Sequence, residues 1–249
     1  KEKHLKRAKE VLKRAKKQGI KSKEIDELEA ILVSKAGQRP NGKKGPSQEQ
    51  TTSLIDLYQS GRFTEAEKLG VSLTEQFPRH QFAWKALGAI FSQTNRLPLA
   101  ADANREAVNL APKDPEAHSN LGVTLQELGR LDEAVASHMR AIALKPDFAE
   151  AHSNLGIALH ELRRLEEAVA SYSRAIVIEP DFAETHSNLG VTLQELGRLE
   201  EALASHTRAI ALKPDFAEGH SRLGVTFRKL GRFDDAEASY RNAIALKPD

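Results

Sequence analysis

Residues 149–182 read AEAHSNLGIALHELRRLEEAVASYSRAIVIEPDF, and close copies of this stretch fill most of the chain. The copies keep a constant spacing of 34 residues. Histidine recurs at His118, His152, His186 and His220, and proline at Pro78, Pro112, Pro146, Pro180, Pro214 and Pro248. A fixed period of this length is typical of a solenoid, in which each repeat packs mainly against its two neighbours.

Apolar residues within one repeat lie on two helical stripes. The first stripe contains Leu155, Leu159 and Leu162, and the second contains Ala168, Tyr172, Ala175 and Ile176. A turn at Arg163–Arg164 separates them, and Pro180 ends the second stripe because proline has no backbone N–H to donate. Each repeat is therefore predicted to be a helix–turn–helix pair.

The turn between the two helices has a recurring composition. Most repeats have Gly-Arg there, and glycine closes a helix in the left-handed conformation without steric strain. Asn95 is the next best residue at this place, whereas Arg163 should be strained by about 1 kcal/mol.

The order of residues in each repeat resembles that of the tetratricopeptide repeat family. From Trp84 to Pro112 the chain has an aromatic residue, Leu-Gly, a large apolar residue, alanines and a final proline, and the later repeats follow. The resemblance implies an all-α, right-handed superhelical solenoid over residues 47–249. Five units match well, at 81–114, 115–148, 149–182, 183–216 and 217–249, and a degenerate unit occupies 47–80.

Charge divides the chain into two parts. Residues 1–46 contain 15 basic and 6 acidic residues, a net charge of +9, so the remaining 22 basic and 29 acidic residues give −7. Residues 1–36 have two amphipathic stripes and are predicted to form a basic helical hairpin before a linker at 37–46. We expect this hairpin to cover the first end of the array. Contact with phosphate or nucleic acid is a less favoured role, because residues 1–46 lack aromatic side chains that could read or stack on bases. Attachment to anionic lipid is the least favoured, because the segment lacks the Trp or Phe anchors of such helices.

The totals of the sequence exclude several classes of protein. No apolar run reaches the roughly 18–20 residues that span a bilayer, which predicts a soluble chain. Zero cysteines exclude a disulfide framework and a thiol nucleophile and favour a reducing compartment, so the expected location is the cytoplasm. The chain begins at a lysine and stops at a repeat boundary, so we expect it to be a piece of a longer protein.

The recurring histidines allow three interpretations. They occupy the position that Trp84 has in its own repeat, which favours a flat side chain packed between helices. Equivalent residues in stacked repeats are expected roughly 10 Å apart, too far for shared metal coordination at about 2 Å. A pH-sensing role remains the third interpretation, because imidazole titrates near neutral pH.

Three asparagines are the candidate binding residues. Asn120, Asn154 and Asn188 precede the Leu-Gly pair and are predicted to face away from the leucine stripe, into the groove of the solenoid. A carboxamide both donates and accepts, so it can pair with a peptide backbone in either direction. An exposed asparagine that only keeps the surface polar is the other interpretation. The same face carries Glu116, Glu150, Glu184 and Glu218, which would mildly favour basic segments.

The sequence AHSNLG is similar to the superhelical repeats of the O-linked N-acetylglucosamine transferases. That resemblance implies an asparagine ladder that holds polypeptides, carried here by Asn120, Asn154 and Asn188, whereas Ala86 and Arg222 occupy the matching places at the two ends. Three rungs at about 1 kcal/mol each fall short of the roughly 8 kcal/mol of micromolar affinity. We retain Arg222 as a candidate peptide contact at the end of the row.

No catalytic constellation is present, because every notable residue is repeated with the unit and no phosphate loop, GxSxG or HExxH occurs. The Lys–Asn pair of arrays that bind acidic chaperone tails is also missing. The expected function is a non-enzymatic module that binds protein or peptide partners without a cofactor or metal. The alternative is the substrate-recognition arm of a larger enzyme, a protein O-GlcNAc-type glycosyltransferase with a catalytic domain after residue 249.

Overall fold

The computed structural model describes residues 45–247, which fold into two helical units. The first unit ends at Leu128 and contains α1 (Gln48–Gln59), α2 (Phe63–Gln76), α3 (Gln81–Gln93), α4 (Leu97–Leu110) and α5 (Pro115–Glu127). The second begins at Gly129 and contains α6 (Leu131–Leu144), α7 (Ala149–Glu161), α8 (Leu165–Ile178), α9 (Ala183–Glu195), α10 (Leu199–Leu212), α11 (Ala217–Lys229) and α12 (Phe233–Leu246). The predicted basic hairpin at 1–36 and most of the linker at 37–46 lie outside the described residues.

The helices pair as the repeat predicts. In the second unit the leading helices α7, α9 and α11 pack on the trailing helices α8, α10 and α12 of their own repeats, and each of α6, α8 and α10 packs on the next leading helix. In the first unit α3 and α4 form such a pair, and α4 packs on α5. The all-α solenoid of helix–turn–helix repeats predicted from the period is confirmed.

A close approach between the two helices of a repeat depends on one glycine. A Cβ added to Gly156 would lie 2.6 Å from the ring of Tyr172, and one added to Gly190 would lie 2.6 Å from the ring of His206. Gly88 faces Asn104 and Gly224 faces Tyr240 in the same way. A bulky side chain of the trailing helix thus lies directly on the backbone of the leading helix, which fixes their separation and aligns the leading helices.

The turns have the backbone that the sequence predicts. Gly197 has φ +78°, while Asn95 and Arg163 adopt φ +55° and +62°. Arg163 is thus held in the left-handed region, which disfavours residues with a Cβ. Its guanidinium is paired with Glu195 at 2.6 Å, but the side chain is 69% exposed, so the pair contributes little.

Two histidines of the trailing helices are completely buried. His138 in α6 and His206 in α10 have no solvent exposure. Among the described residues, neither ring nitrogen of either side chain has a hydrogen-bond partner. Burial lowers the pKa of both imidazoles to about 4, and the charge of Arg222 adds to the effect on His206. Both rings are therefore neutral at pH 7.

Replacing Arg163 by glycine is expected to stabilise the protein. The substitution Arg163→Gly removes the left-handed strain, about 1 kcal/mol, and gives up a weak exposed ion pair. The free energy of unfolding from urea titration should rise by roughly 0.5–1 kcal/mol. The reciprocal change Gly197→Arg is the matched control and should lower it by a similar amount. A less stable Arg163→Gly variant would show that the turn is not strained.

Acid is expected to destabilise the protein through His138 and His206. Their folded pKa of about 4 lies below the unfolded value of about 6.5, so their stabilising effect is complete above pH 6.5 and is lost as the pH falls towards 4. Each histidine should remove about 1 kcal/mol per pH unit in that window, measured by urea titration between pH 7.5 and 4.5.

The repeats themselves provide the control for this acid effect. Tyr172 and Tyr240 occupy the equivalent positions in the alternate repeats, so the double variant His138→Tyr/His206→Tyr keeps a ring in each place. Its stability should fall much less steeply with acid than that of the wild type. Identical pH profiles for the two proteins would contradict the assignment.

Candidate functional site

The leading helices of each unit lie side by side. In the first unit α3 contacts both α1 and α5, and in the second unit α9 contacts both α7 and α11. Ser153 of α7 and Thr185 of α9 are joined directly through their hydroxyl oxygens, which are 2.8 Å apart. Each unit therefore presents one face made of leading helices, which we call its leading-helix face.

The three asparagines are accessible on these faces. Asn120 is exposed in α5, and Asn154 and Asn188 are half-buried in α7 and α9. The residues immediately before and after Asn154, Ser153 and Leu155, are buried. All three asparagines are therefore at least partly exposed.

Arg222 binds the last asparagine of the row. Its guanidinium donates to the Oδ1 of Asn188 at 3.0 Å and to the hydroxyl of Ser187 at 2.9 Å, and it also forms an ion pair with Glu218 of its own helix. Arg222 thus connects α11 to α9 and occupies the acceptor oxygen of Asn188.

Three of the four glutamates on these faces are paired. Glu116 binds Lys85 at 2.7 Å, Glu184 binds Lys213 at 2.8 Å, and Glu218 binds Arg222. The hydrogen bond from Lys213 lowers the pKa of Glu184. Glu150 has no ion pair within residues 45–247. The lysine that pairs with Glu184 in the later repeat, Lys213, is replaced by Glu179 at the equivalent position one repeat earlier. The attraction for basic segments expected from the four glutamates is therefore concentrated at Glu150.

An open groove lies on the leading-helix face of the first unit. It encloses about 590 Å³ between α1 and α3 and reaches Asn120 of α5. Its lining comprises Leu54, Ile55, Tyr58, Gln59, His80, Gln81, Phe82, Lys85, Ala86, Ala89 and Asn120. This volume is within the range of about 300–1,000 Å³ of small-ligand sites.

Asp114 holds one wall of this groove. Its carboxylate caps α5 by accepting from the backbone N–H groups of Glu116 and Ala117, and it also accepts from Gln81 and from Lys85, the latter at 3.3 Å. Burial opposes the ionised form of Asp114, but the hydrogen bond from Gln81 and the charge of Lys85 lower its pKa on balance. Burial likewise opposes the charged form of Lys85, while Glu116 and Asp114 raise its pKa on balance.

The four recurring histidines join consecutive repeats. The Nε2–H of each ring donates to the carbonyl oxygen of the proline six residues earlier, at 3.1 Å for His118 and 2.9 Å for His186. The indole of Trp84 makes the equivalent bond to Pro78 at 3.4 Å. This contact agrees with the packing interpretation, to which it adds a hydrogen bond.

The part of the chain that the structure describes has neither a metal-binding cluster nor a membrane-spanning helix. Residues 45–247 contain no cluster of three or more histidine, cysteine or carboxylate side chains that could hold a metal ion. None of the helices between residues 45 and 247 is long and apolar enough to cross a membrane.

The groove between α1 and α3 was missed in the sequence analysis. The repeat pattern marks 47–80 as a degenerate unit and Ala86 as a position without the asparagine, and neither feature by itself predicts a groove. The signal was present in the alignment of the repeats: Phe82, Ala86 and Ala89 stand where the later repeats have glutamate, asparagine or arginine, and valine or isoleucine.

Family models match most of the chain. A model described as TPR repeat matches residues 126–163, 158–197 and 193–231, and models described as tetratricopeptide repeat match 54–117, 104–136 and 217–249. Together they extend from residue 54 to residue 249. No curated protein matches the sequence.

Several solved structures are similar to this one. PilW, a widely conserved type IV pilus biogenesis factor, superposes with a TM-score of 0.75 at 20% identity, covering 82% of this chain and 96% of PilW. MamA from Desulfovibrio magneticus RS-1 has a TM-score of 0.61 at 18% identity, with 68% and 95% covered. YrrB, described as a TPR protein with an unusual peptide-binding site, has a TM-score of 0.57 at 20% identity, with 72% and 93% covered. At these identities the likeness establishes the fold alone.

Proposed function

The chain belongs to the tetratricopeptide repeat family, and from this premise we propose that it is a protein–protein interaction module whose leading-helix faces bind extended peptide segments. The observation that carries the proposal is the recurrence of an asparagine at one position of the leading helices α5, α7 and α9, exposed in α5 and partly exposed in α7 and α9. Arrays of stacked repeats characteristically use such faces to bind partners. YrrB, which has a similar fold, is described as having a peptide-binding site.

The chemistry of the row favours backbone recognition. Asparagine is unfavourable in helix interiors because its side chain competes for backbone hydrogen bonds. Asn120, Asn154 and Asn188 nevertheless all lie within helices. A carboxamide can donate to a peptide carbonyl and accept from a peptide N–H at once. Such contacts hold a segment in place without selecting its side chains.

The charge of the faces adds a preference. Glu116, Glu184 and Glu218 are already neutralised by basic partners, whereas Glu150 has no ion pair among residues 45–247. Glu150 lies one helical turn before Asn154 in α7, so a basic side chain next to the bound backbone would find it within reach. The preferred segments for the second unit are therefore extended and basic rather than acidic.

A second candidate function is the substrate-recognition arm of a protein O-GlcNAc-type glycosyltransferase. The repeated AHSNLG sequence, with its asparagines on the leading-helix faces, favours it. The test is to incubate the full-length protein with a labelled sugar nucleotide and a peptide library. Transfer of label to peptides supports this candidate, and peptide binding without transfer supports the interaction module.

Removing the carboxamides is expected to weaken peptide binding without unfolding the protein. Peptides selected by phage display of random 15-residue sequences on the whole chain serve as the probe. For peptides held by the second unit, Asn154→Ala/Asn188→Ala should weaken binding by about 10- to 30-fold, since each bond contributes about 1 kcal/mol. Asn120→Ala tests the first unit in the same way, by fluorescence anisotropy.

The control for these variants is Asn242→Ala, which removes an exposed asparagine from the trailing helix α12. It should leave every affinity unchanged, and all variants should melt within a few degrees of the wild type. Unchanged affinity in the asparagine variants would refute the proposal. A large drop in melting temperature would show that the asparagines are structural.

Adding a carboxamide is expected to strengthen binding. Arg222→Asn gives α11 the residue that α7 and α9 have at the same position, and it releases the Oδ1 of Asn188 from its bond to the guanidinium. Peptides bound by the second unit should bind about fivefold more tightly, which corresponds to one further hydrogen bond of about 1 kcal/mol. Affinity that is unchanged or weaker in isothermal titration calorimetry would contradict the role of the row.

A further inference from the structure

We propose that the groove between α1 and α3 is a specificity pocket that takes one bulky apolar side chain, aromatic or branched aliphatic, of an extended peptide whose backbone is held at Asn120. This inference rests on the proposed peptide-binding function and adds to it a selective contact in the first unit. Asparagine rungs alone would not distinguish one sequence from another, so such a pocket would give the module its selectivity.

The pocket arises from three substitutions within one repeat. Phe82, Ala86 and Ala89 occupy positions where the later repeats have larger or charged groove residues. The equivalents of Phe82 are Glu116, Glu150, Glu184 and Glu218; those of Ala86 are Asn120, Asn154, Asn188 and Arg222; and those of Ala89 are Val123, Ile157, Val191 and Val225. Two small residues thus open a space on α3, and an aromatic side chain replaces a carboxylate at its edge.

The opposite wall of the pocket is also apolar. Leu54, Ile55 and Tyr58 of α1 face the two alanines of α3 across the groove. Ile55 is 44% exposed, although a large apolar side chain gains free energy when it is removed from water. The volume of about 590 Å³ is ample for a single tryptophan or phenylalanine side chain and part of the backbone that carries it.

The polar groups of the pocket select a peptide. Gln59 and Asn120, both exposed, place carboxamides at its margin, and these groups pair with backbone amides in either direction. An apolar wall with two carboxamides beside it matches a residue that has an apolar side chain and a polar backbone.

The charges of the pocket disfavour an acidic occupant. Lys85 is the cation of the lining, and its ammonium group is bound to Asp114 at 3.3 Å and to Glu116 at 2.7 Å. A carboxylate entering the groove would have to displace these partners. The occupant is therefore an apolar side chain rather than an acidic tail.

A double-mutant cycle tests this pocket. The probe is a peptide selected from a random 12-residue phage library on the intact chain, together with its copy in which the apolar residue common to the selected sequences is replaced by alanine. The wild-type protein should bind the alanine copy about tenfold or more weakly, since burying such a side chain is favourable. Ala86→Asn/Ala89→Val fills the pocket with the residues of the later repeats and should bind both peptides equally, at the weaker affinity.

Two further variants separate this inference from the proposed function. Phe82→Glu, which also introduces the residue of the later repeats, should abolish the preference for the apolar peptide in the same way. Asn120→Ala should weaken the binding of both peptides by the same factor and leave the preference for the apolar peptide intact. If the preference persists in both pocket variants, or if the selected peptides share no apolar residue, the pocket inference fails while backbone binding stands. If Asn120→Ala and Asn154→Ala/Asn188→Ala leave every affinity unchanged, the proposed function fails.

Other occupants of the groove would give different results. If the groove is an interface between copies of this chain, Ala86→Asn/Ala89→Val should dissociate a dimer in sedimentation velocity and leave the peptide preference unchanged. If residues 1–44 of the same chain fill it, the variant should bind both peptides more tightly than the wild type. Either result overturns the peptide pocket.

Discussion

The contact on which the structure depends joins a glycine of a leading helix to a side chain of the following trailing helix, and it recurs in α3, α7, α9 and α11. A methyl group at Gly156 or Gly190 would collide with Tyr172 or His206 at 2.6 Å. The absence of a side chain lets the ring lie on the helix backbone, and the ring in turn sets how far apart the two helices stand. Because this distance recurs in successive repeats, the leading helices lie side by side and their outward positions form one face in each unit.

The position of a residue on its leading helix determines whether its side chain is buried or exposed. In α5, α7 and α9 the serine and the leucine on either side of the asparagine are buried, while the asparagine itself stays at least partly exposed. The first unit departs from this pattern at Phe82, Ala86 and Ala89, where an apolar groove replaces the charged and amide surface. We therefore propose one architecture with two uses: backbone-binding amides in the later repeats and a side-chain pocket in the earlier ones.

The period predicted the helices and their turns, because a glycine or asparagine just before the turn arginine is the residue that most readily adopts the left-handed conformation ending a helix. It did not predict that Arg222 would bind Asn188, or that Lys85 would bind Glu116, since those contacts join residues of adjacent repeats and depend on side-chain conformation. The buried imidazoles were also hard to predict, because the sequence does not show that His206 lies over a glycine backbone while His186 reaches the carbonyl of Pro180. The groove at Ala86 was predictable in principle, but only by asking what space a smaller residue leaves.

The central claim is that the carboxamides of the leading helices touch the bound peptide, and NMR of the side-chain amide groups tests it most directly. The protein is labelled with ¹⁵N and titrated with a selected peptide while the Asn120, Asn154, Asn188 and Asn242 side-chain signals are followed. The account predicts that at least one of the first three shifts and saturates at the affinity of the peptide, while Asn242 on α12 does not move. Saturable binding that leaves all three leading-helix carboxamides unshifted would contradict it.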